Sequence, residues 1–330
     1  FEQLNKLMKN YISGFSKLTK REKIKWVSES FFLDPSKAKL DLIKYWNSDP
    51  EVQEIHDEFI ENTLSNFYMP FGVAPNFIID GESYTLPMAI EESSVVAAAS
   101  KSAKYWSKRG GFHTKIINVE KTGHIHFLYD GKKNEIKKFF KNYKKQLIES
   151  CDDISLKMKK RGGGILSMDL IDKTLDLKNY FQISVCFDTI NAMGANFINS
   201  CLEKTAETLK DVFLKSSLSK KYELEIIMSI MSNYVPNCLV KSWVSCPLED
   251  LNENDGINGR EFAEKFITAV NISKADTSRA VTHNKGIMNG IDSIVLSTGN
   301  DFRAVESSIH AYASKSCLLY TSDAADDFTS

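Results

Sequence analysis

The amino-acid sequence predicts an α+β protein in which a small region containing several strands interrupts a helix-rich one. Helical periodicity marks about the first sixty residues and returns near the end of the chain, whereas short apolar runs bounded by turns lie between. A chain of 330 residues and 37.3 kDa is also too long for one small core. We therefore expect at least two domains.

The N-terminal part is predicted to be helical and then to change to strands. One helix is expected over residues 20–30 after the N-cap Thr19, and another over residues 36–46 after Pro35. Two strands follow, at 77–79 and 84–88, about a tight turn at Asp80-Gly81. A helix rich in small residues is predicted for 92–107, and such residues allow another element to approach closely.

A domain boundary is predicted at Gly110-Gly111. Beyond it the pattern indicates strands at 113–119 and 124–129, a basic helix at 132–150, strands from Gly164 and at 181–187, and a long helix at 192–214. This order predicts a small α+β domain of residues 110–220. Helices are expected again at 260–270, 285–296 and 301–314, which gives domains at 1–109, 110–220 and 221–315.

Composition excludes several classes of function. The 42 basic and 43 acidic residues leave a net charge of -1, which argues against a global electrostatic grip on nucleic acid or an anionic membrane. No uncharged apolar run approaches the ~20 residues that span a bilayer. Six cysteines without C-x-x-C spacing favour reduced thiols and a cytoplasmic location. The histidines lack metal-ligand spacing, and neither G-x-G-x-x-G nor a P-loop is present.

Three segments carry residues suited to chemistry, and each has a structural alternative. Glu92 stands at a strand-to-helix junction, where it either caps the helix or acts as a partly buried acid with a raised pKa. Lys285, four residues before Asn289, either stabilises an oxyanion or is a solvated lysine near a helix N-terminus. Asp301 either caps the last helix or neighbours Lys285 and tunes its pKa.

Together these segments resemble the class II (bacterial-type) 3-hydroxy-3-methylglutaryl-coenzyme A reductases. The matching stretches are P-M-A-I-E-E-S-S-V-V-A-A-A-S at 87–100, T-H-N-K-G-I-M-N-G at 282–290 and T-G-N-D-F-R-A-V-E at 298–306, and Ser93 replaces a family proline. The likeness extends from about Tyr11 to Ala313. The three motifs occur in the family's order and spacing, which makes the resemblance specific.

The resemblance implies a four-electron reduction of 3-hydroxy-3-methylglutaryl-coenzyme A to mevalonate and free coenzyme A, with two molecules of NADH or NADPH. Glu92 is then expected to donate a proton and Lys285 to stabilise the oxyanion, while Asp301 couples to both through hydrogen bonds. The substrate's carboxylate and hydroxyl region is expected to contact three further residues, Ser94, Arg279 and Asn289.

The resemblance also implies that the 110–220 region is a ferredoxin-like, non-Rossmann cofactor domain inserted into a larger substrate domain. The family motif D-A-M-G-A-N corresponds to residues 191–196, where Asn191 replaces the aspartate and Met193, Gly194 and Asn196 are retained. Loss of that charge is expected to affect cofactor affinity. Gly162 and Gly163 either let backbone N–H groups approach the cofactor pyrophosphate or form a plain turn.

The likeness stops near Lys315, and residues 316–330 lack helical or strand periodicity, so we set them apart as a tail foreign to the fold. We therefore expect a C-terminally truncated chain that lacks the family's mobile flap and its histidine, and whose turnover is impaired. The family builds its site between subunits, which implies a homodimer. The alternatives are a non-catalytic acyl-coenzyme A-binding or assembly protein on the same fold, and a different nicotinamide-dependent oxidoreductase.

Overall fold

The chain forms two compact units, which a computed structural model describes over residues 11–251 and 258–316. The first unit is Phe1–Pro70 and the second is Phe71–Ser330. This division at Pro70 was not predicted from the sequence. The domain limits expected at 109, 220 and 315 stay predictions, and most of the tail set apart at 316–330 lies outside the described residues.

The first unit is helical, as predicted. Its helices are α1 (Lys20–Phe31), α2 (Pro35–Lys44) and α3 (Pro50–Glu58). Thr19 and Glu22 form a capping box at the start of α1, because each side chain accepts a hydrogen bond from the other residue's backbone N–H. Proline at the first position of α2 and of α3 follows an aspartate N-cap in each case, which fixes where these helices begin.

The second unit opens with a β-hairpin. We use the name hairpin region for this hairpin together with the helices that pack on it. Strands β1 (Phe71–Ile79) and β2 (Glu82–Ala89) pair antiparallel about Asp80 and Gly81, which both have positive φ, as the predicted tight turn requires. Helix α4 (Ser93–Ser107) follows. The buried core here is small and consists of Ala74, Met88 and Val95.

The elements that follow form an antiparallel sheet with helices, which we call the sheet region. In chain order these are β3 (His113–Tyr129), α5 (Lys133–Glu149), α6 (Asp152–Lys160), β4 (Gly164–Asp172), β5 (Tyr180–Asp188), α7 (Ala195–Leu214) and β6 (Leu224–Met231). The strand order is β4-β5-β3-β6. With α5 and α6 sharing the first helical connection, this is the β-α-β-β-α-β order of a ferredoxin-like sheet.

Two details of the sheet region differ from the prediction. The strands expected at 113–119 and 124–129 are one continuous strand, β3, whose first half pairs with β7 (Cys238–Trp243) and whose second half pairs with β5 and β6. Strands β6 and β7 were not predicted, and β6 extends the sheet beyond residue 220.

The core of the sheet region follows from the two-residue period of its strands. On β3, Ile125, Phe127 and Tyr129 alternate with less buried residues, and each is at most 1% exposed. On β5, the alternating residues from Phe181 to Phe187 are equally buried. Burial of each such side chain is worth about 1.5–3 kcal/mol, so this face against the helices is a main source of stability.

Three helices complete the second unit, namely α8 (Gly259–Ala275), α9 (Thr277–Ser297) and α10 (Phe302–Ser316). Helix α9 begins well before the predicted residue 285, because Asp276 caps it by accepting a hydrogen bond from the Arg279 backbone N–H. Lys285 therefore lies within a long helix and not near its N-terminus. None of the helices among residues 11–251 and 258–316 is long and apolar enough to cross a membrane.

Candidate functional site

Glu92 occupies the junction between β2 and α4. It stands at the N-cap position, yet its side chain does not accept a hydrogen bond from a backbone N–H of the first turn of α4. Its Oε1 instead accepts a hydrogen bond of 3.2 Å from the Ser94 hydroxyl. The simple capping interpretation is therefore not what the structure shows, and the carboxylate is available for other partners.

Helix α9 brings Lys285 to that carboxylate. Near the C-terminal end of α9, Ile294 packs against the Met88 core and the Ser297 hydroxyl donates a hydrogen bond of 3.0 Å to the Pro87 carbonyl oxygen. This docking fixes α9 along β2. The Lys285 Nζ then donates a hydrogen bond of 3.0 Å to the Glu92 Oε2, across 193 positions of sequence.

The pair is open to solvent, and this corrects one expectation. The Lys285 and Glu92 side chains are 62% and 44% exposed. The hydrogen bond from Lys285 is the largest cause that lowers the pKa of Glu92 below its usual value, followed by the hydrogen bond from Ser94. The expected raised pKa of a partly buried acid is therefore wrong for this arrangement, in which the charged carboxylate is favoured.

Asp301 does not join this pair in the way that was expected. Its Oδ1 accepts a hydrogen bond of 3.1 Å from the Ala304 backbone N–H and lies 3.4 Å from the Arg303 guanidinium. Within the described parts of the chain, no hydrogen bond joins Asp301 to Glu92 or Lys285. The capping interpretation of Asp301 is thus what the structure shows, because its first-turn contact satisfies a free N–H of α10.

The three expected substrate contacts occupy different positions. Ser94 contacts Glu92 directly. Asn289 lies one turn after Lys285 on the same face of α9 and is half-buried. Arg279 lies in the first turn of α9 with an exposed side chain, and the described contacts do not join it to the Lys285–Glu92 pair.

A pair of carboxyl groups in this region was not predicted from the sequence. Asp292, two turns after Lys285 on α9, is close to Glu306 of α10. Burial, then the hydrogen bond and charge of Glu306, raise the pKa of Asp292 to about 6. Asp292 stands in the mainly apolar stretch 291–295. An acidic residue in such a stretch is a sequence signal that its side chain has unusual surroundings.

The predicted cofactor residues form a separate group at one end of β4 and β5. Gly194 has φ 77 and stands at the N-cap of α7, and a Cβ there would meet the Thr189 methyl at 2.4 Å. Gly194 is therefore required both by its backbone conformation and by close packing. Asn191, Met193 and Asn196 flank it on the exposed side of the loop.

The glycine turn after α6 lies against the same loop. Gly164 is opposite Asp188 in the β4–β5 register, and a Cβ on Gly163 would meet the Asp188 carbonyl oxygen at 2.5 Å. Gly162 has φ 93 and is exposed. The two motifs that were predicted separately therefore meet at the loop between β5 and α7, and this loop leads into the N-terminus of the 20-residue helix α7. Free backbone N–H groups at such a terminus favour an anionic ligand.

Comparison with known proteins places this chain in a family. The model of the family described as hydroxymethylglutaryl-coenzyme A reductase matches residues 19–328, which includes most of the segment that the sequence analysis set apart. The 3-hydroxy-3-methylglutaryl-coenzyme A reductase of Archaeoglobus fulgidus is 34% identical over 313 residues, which cover 94% of this chain and 67% of that protein. A probable reductase of the same name from Borreliella burgdorferi is 31% identical over 81% of this chain and 59% of its own length.

Solved structures agree with these sequence matches. A class II 3-hydroxy-3-methylglutaryl-coenzyme A reductase from Streptococcus pneumoniae, bound to NADPH in open conformations, superposes with a TM-score of 0.70 and 31% identity. The match covers 92% of this chain and 79% of that one. The mixed α+β class and the family resemblance predicted from the sequence are both confirmed. The chain belongs to the hydroxymethylglutaryl-coenzyme A reductase family, whose members are nicotinamide-dependent oxidoreductases.

Proposed function

We propose that the protein reduces 3-hydroxy-3-methylglutaryl-coenzyme A to mevalonate and free coenzyme A, using two molecules of NADH or NADPH. The observation that carries this proposal is the hydrogen bond between Lys285 and Glu92, which places a cation and a proton-carrying group at one point of the hairpin region. Family membership supplies the substrate and the cofactor class. The chain's own residues supply the acid–base chemistry.

Lys285 has the charge that the first reduction needs. A bound reduced nicotinamide supplies the hydride, and its arrival at the thioester carbon leaves negative charge on the carbonyl oxygen. An ammonium group placed beside that oxygen stabilises the charge as it develops. Collapse of the resulting hemithioacetal anion breaks the carbon–sulfur bond, so that an aldehyde remains and the thiolate of coenzyme A leaves and takes up a proton from solvent.

Glu92 is the group that donates the proton in the second reduction. The aldehyde oxygen takes up a proton as the second hydride arrives, and the product is the alcohol of mevalonate. In the unliganded site the contact with Lys285 lowers the pKa of Glu92. When Lys285 turns to the substrate oxygen, that cause is removed, and a bound substrate also excludes water. Both changes raise the pKa of Glu92 and allow it to carry and donate a proton.

Asp301 couples to Glu92 and Lys285 in this proposal when the site is occupied, whereas in the present structure it caps α10. Ser94, Asn289 and Arg279 hold the carboxylate and hydroxyl of the substrate. Ser94 and Asn289 are supported by their places beside Glu92 and Lys285. Arg279 is supported by its exposed guanidinium on the same helix, which is free to move toward a carboxylate.

The cofactor is assigned to the sheet region, which we propose to be a ferredoxin-like domain inserted into the substrate domain. The pyrophosphate is held at the N-terminus of α7 and by the backbone of Gly162 and Gly163, while Asn191, Met193 and Asn196 contact the remainder. We further propose a homodimer that works in the cytoplasm. The five described cysteines are unpaired, which suits a reducing compartment.

The test is oxidation of NADH, and separately of NADPH, by the full chain with 3-hydroxy-3-methylglutaryl-coenzyme A. Lys285→Ala is expected to lower kcat by about 100- to 1,000-fold, because it removes the oxyanion stabiliser. Lys265→Ala is the matched control, since Lys265 forms a similar exposed pair with Glu261 at 2.8 Å on α8. Its kcat should change by less than about twofold.

Three results would contradict the proposal. Equal activity of Lys285→Ala and the wild type would remove Lys285 from the chemistry. Binding of the thioester without oxidation of either nicotinamide would favour a non-catalytic acyl-coenzyme A-binding protein. Faster oxidation with other acyl-coenzyme A thioesters would indicate a different nicotinamide-dependent oxidoreductase.

A further inference from the structure

A half-buried lysine in the sheet region contacts the proposed cofactor loop. Lys121 lies on β3, opposite Phe187 of β5 in the strand register. Its Nζ donates hydrogen bonds to the Thr189 hydroxyl oxygen, at 2.6 Å, and to the Ala192 carbonyl oxygen. Both partners belong to the loop between β5 and α7. The lysine therefore joins the middle of the sheet to a segment 68 and 71 positions later in the chain.

The loop closes on itself around these contacts. The Thr189 side chain is fully buried, and its hydroxyl donates a hydrogen bond of 2.6 Å to the Ala192 carbonyl oxygen. The Ala192 backbone N–H donates one of 3.1 Å to the Thr189 carbonyl oxygen. The Lys121 ammonium group thus completes a small ring of hydrogen bonds that fixes both ends of this turn.

The backbone of the loop needs such support. Ile190 has φ 54, in the left-handed region that a β-branched residue rarely adopts, and its N–H is held by the Asp188 carboxylate at 2.7 Å. Two positions beyond Ala192, Gly194 packs against Thr189 and begins α7. Conformations of this kind persist only where neighbouring contacts hold them, and they concentrate at binding sites.

The surroundings of the lysine also differ from those of a surface side chain. Desolvation by burial lowers the pKa of Lys121, so its charge is placed there against a cost. An apolar side chain would fill the same space without that cost, but it would leave the Thr189 hydroxyl oxygen without a donor and the Ala192 carbonyl oxygen with the Thr189 hydroxyl in place of two donors. The specific contribution of the ammonium group is therefore the conformation of the loop.

We propose that Lys121 is a positioning residue for the nicotinamide cofactor. By holding Thr189 and Ala192 it fixes the loop that carries Met193 and Gly194, and so sets the N-terminus of α7 where the pyrophosphate binds. Lys121 acts through the loop and does not itself take part in hydride or proton transfer. This inference rests on the proposed function, in which that loop is the cofactor site.

The experiment measures the dissociation constant of NADPH by its fluorescence, together with steady-state kinetics, for the wild type and Lys121→Met. We expect the dissociation constant and the KM for NADPH to rise about tenfold or more, while kcat and the KM for the thioester stay within about twofold. Lys115→Met is the matched control, because Lys115 is exposed on the same strand. Lys121→Arg should recover part of the affinity, since a guanidinium group retains the donors.

The outcomes separate the inference from the function on which it rests. A wild type that binds neither NADPH nor NADH contradicts the cofactor site itself. A wild type that binds NADPH, with Lys121→Met binding equally well, overturns the role of Lys121 alone. If Lys121→Met does not fold, Thr189→Val decides, because it removes the acceptor hydroxyl at nearly constant volume and should raise the same KM. An unchanged KM in that variant also overturns the inference.

Discussion

The sheet region and the hairpin region place functional groups in opposite ways. Twenty buried hydrophobic residues form the core of the sheet region, and the proposed cofactor loop is held by the hydrogen bond from the half-buried Lys121 to the buried Thr189. Three buried residues form the core of the hairpin region, and its proposed reacting groups, Lys285 and Glu92, are exposed. The sheet region thus holds the backbone of a loop in place, whereas the hairpin region exposes side chains to solvent.

This difference shows how much each site is determined before a ligand arrives. Closely packed interiors resist small displacements, so we expect the proposed cofactor loop to keep its conformation when a ligand binds. Exposed side chains have a pKa set by whatever contacts them at the time. The pKa of Glu92 is lowered beside Lys285, and in the proposed mechanism it rises when a ligand takes that contact. We therefore expect the hairpin region to respond to its ligand more than the sheet region does.

The largest expected effect comes from breaking the core of the sheet region. Phe187 is 0% exposed, and Phe187→Ala should lower the free energy of unfolding by about 3–5 kcal/mol, because it leaves a cavity in a packed interior. Urea denaturation measures this change. Leu175→Ala, at a position 96% exposed, is the control and should shift the value by less than about 0.5 kcal/mol. Similar losses in both variants would show that this core is not rigid.

A smaller effect is expected from the backbone of the cofactor loop. Gly194→Ala and Gly299→Ala both place a Cβ at positive φ, with φ 77 and φ 69. That strain alone costs about 1–2 kcal/mol in each variant. Only at Gly194 does the new methyl collide with a buried side chain, Thr189, so this variant should be less stable and should bind NADPH more weakly. Equal stability and unchanged NADPH affinity would argue against a fixed loop.

The smallest effect is a pH dependence in the hairpin region. The pKa of Asp292 is raised from 3.8 to about 6, so the folded state holds this proton more tightly than the unfolded state. Its contribution to stability is full below about pH 4 and is lost as the pH rises to about 6. Asp292→Asn should remove that loss and raise the melting temperature near neutral pH relative to the wild type. Thermal unfolding across this window tests it, with the exposed Asp169→Asn as control. An unchanged profile in Asp292→Asn would contradict the role of the pair.

Local signals in the sequence predicted the elements that depend on local contacts. The capping box of Thr19 and Glu22 and the turn at Asp80-Gly81 lie within a few residues of what they control, and both elements form as predicted. Two separate strands were expected at 113–119 and 124–129, and this was wrong because β3 runs through Gly123 without a break. Glycine often marks a turn, but Gly123 does not. It is instead a packing residue, since a Cβ there would meet the Leu202 side chain of α7 at 2.5 Å.

Contacts between distant residues account for most of what the sequence did not predict. The sign of the Glu92 pKa shift depends on Lys285, which approaches only because α9 docks on β2. Strand β7 owes its place to pairing with β3, more than a hundred residues earlier. The role of Lys121 depends in the same way on a loop that follows two further strands. Motif likeness brought Glu92 and Lys285 together as candidates, because a motif is defined by residue type and order, and their roles stay predictions.

The continuous strand β3 also limits how this fold can be divided or extended. Its first half belongs with β7 and its second half with β5 and β6, so a cut at residue 110 followed by one at 220 removes partners from both halves. One residue inserted between the halves would turn every later side chain of β3 to the opposite face. An insertion in a loop of the sheet region, by comparison, leaves the faces of β3 unchanged. Variation among relatives should therefore accumulate in the loops and leave the length of this shared strand unchanged.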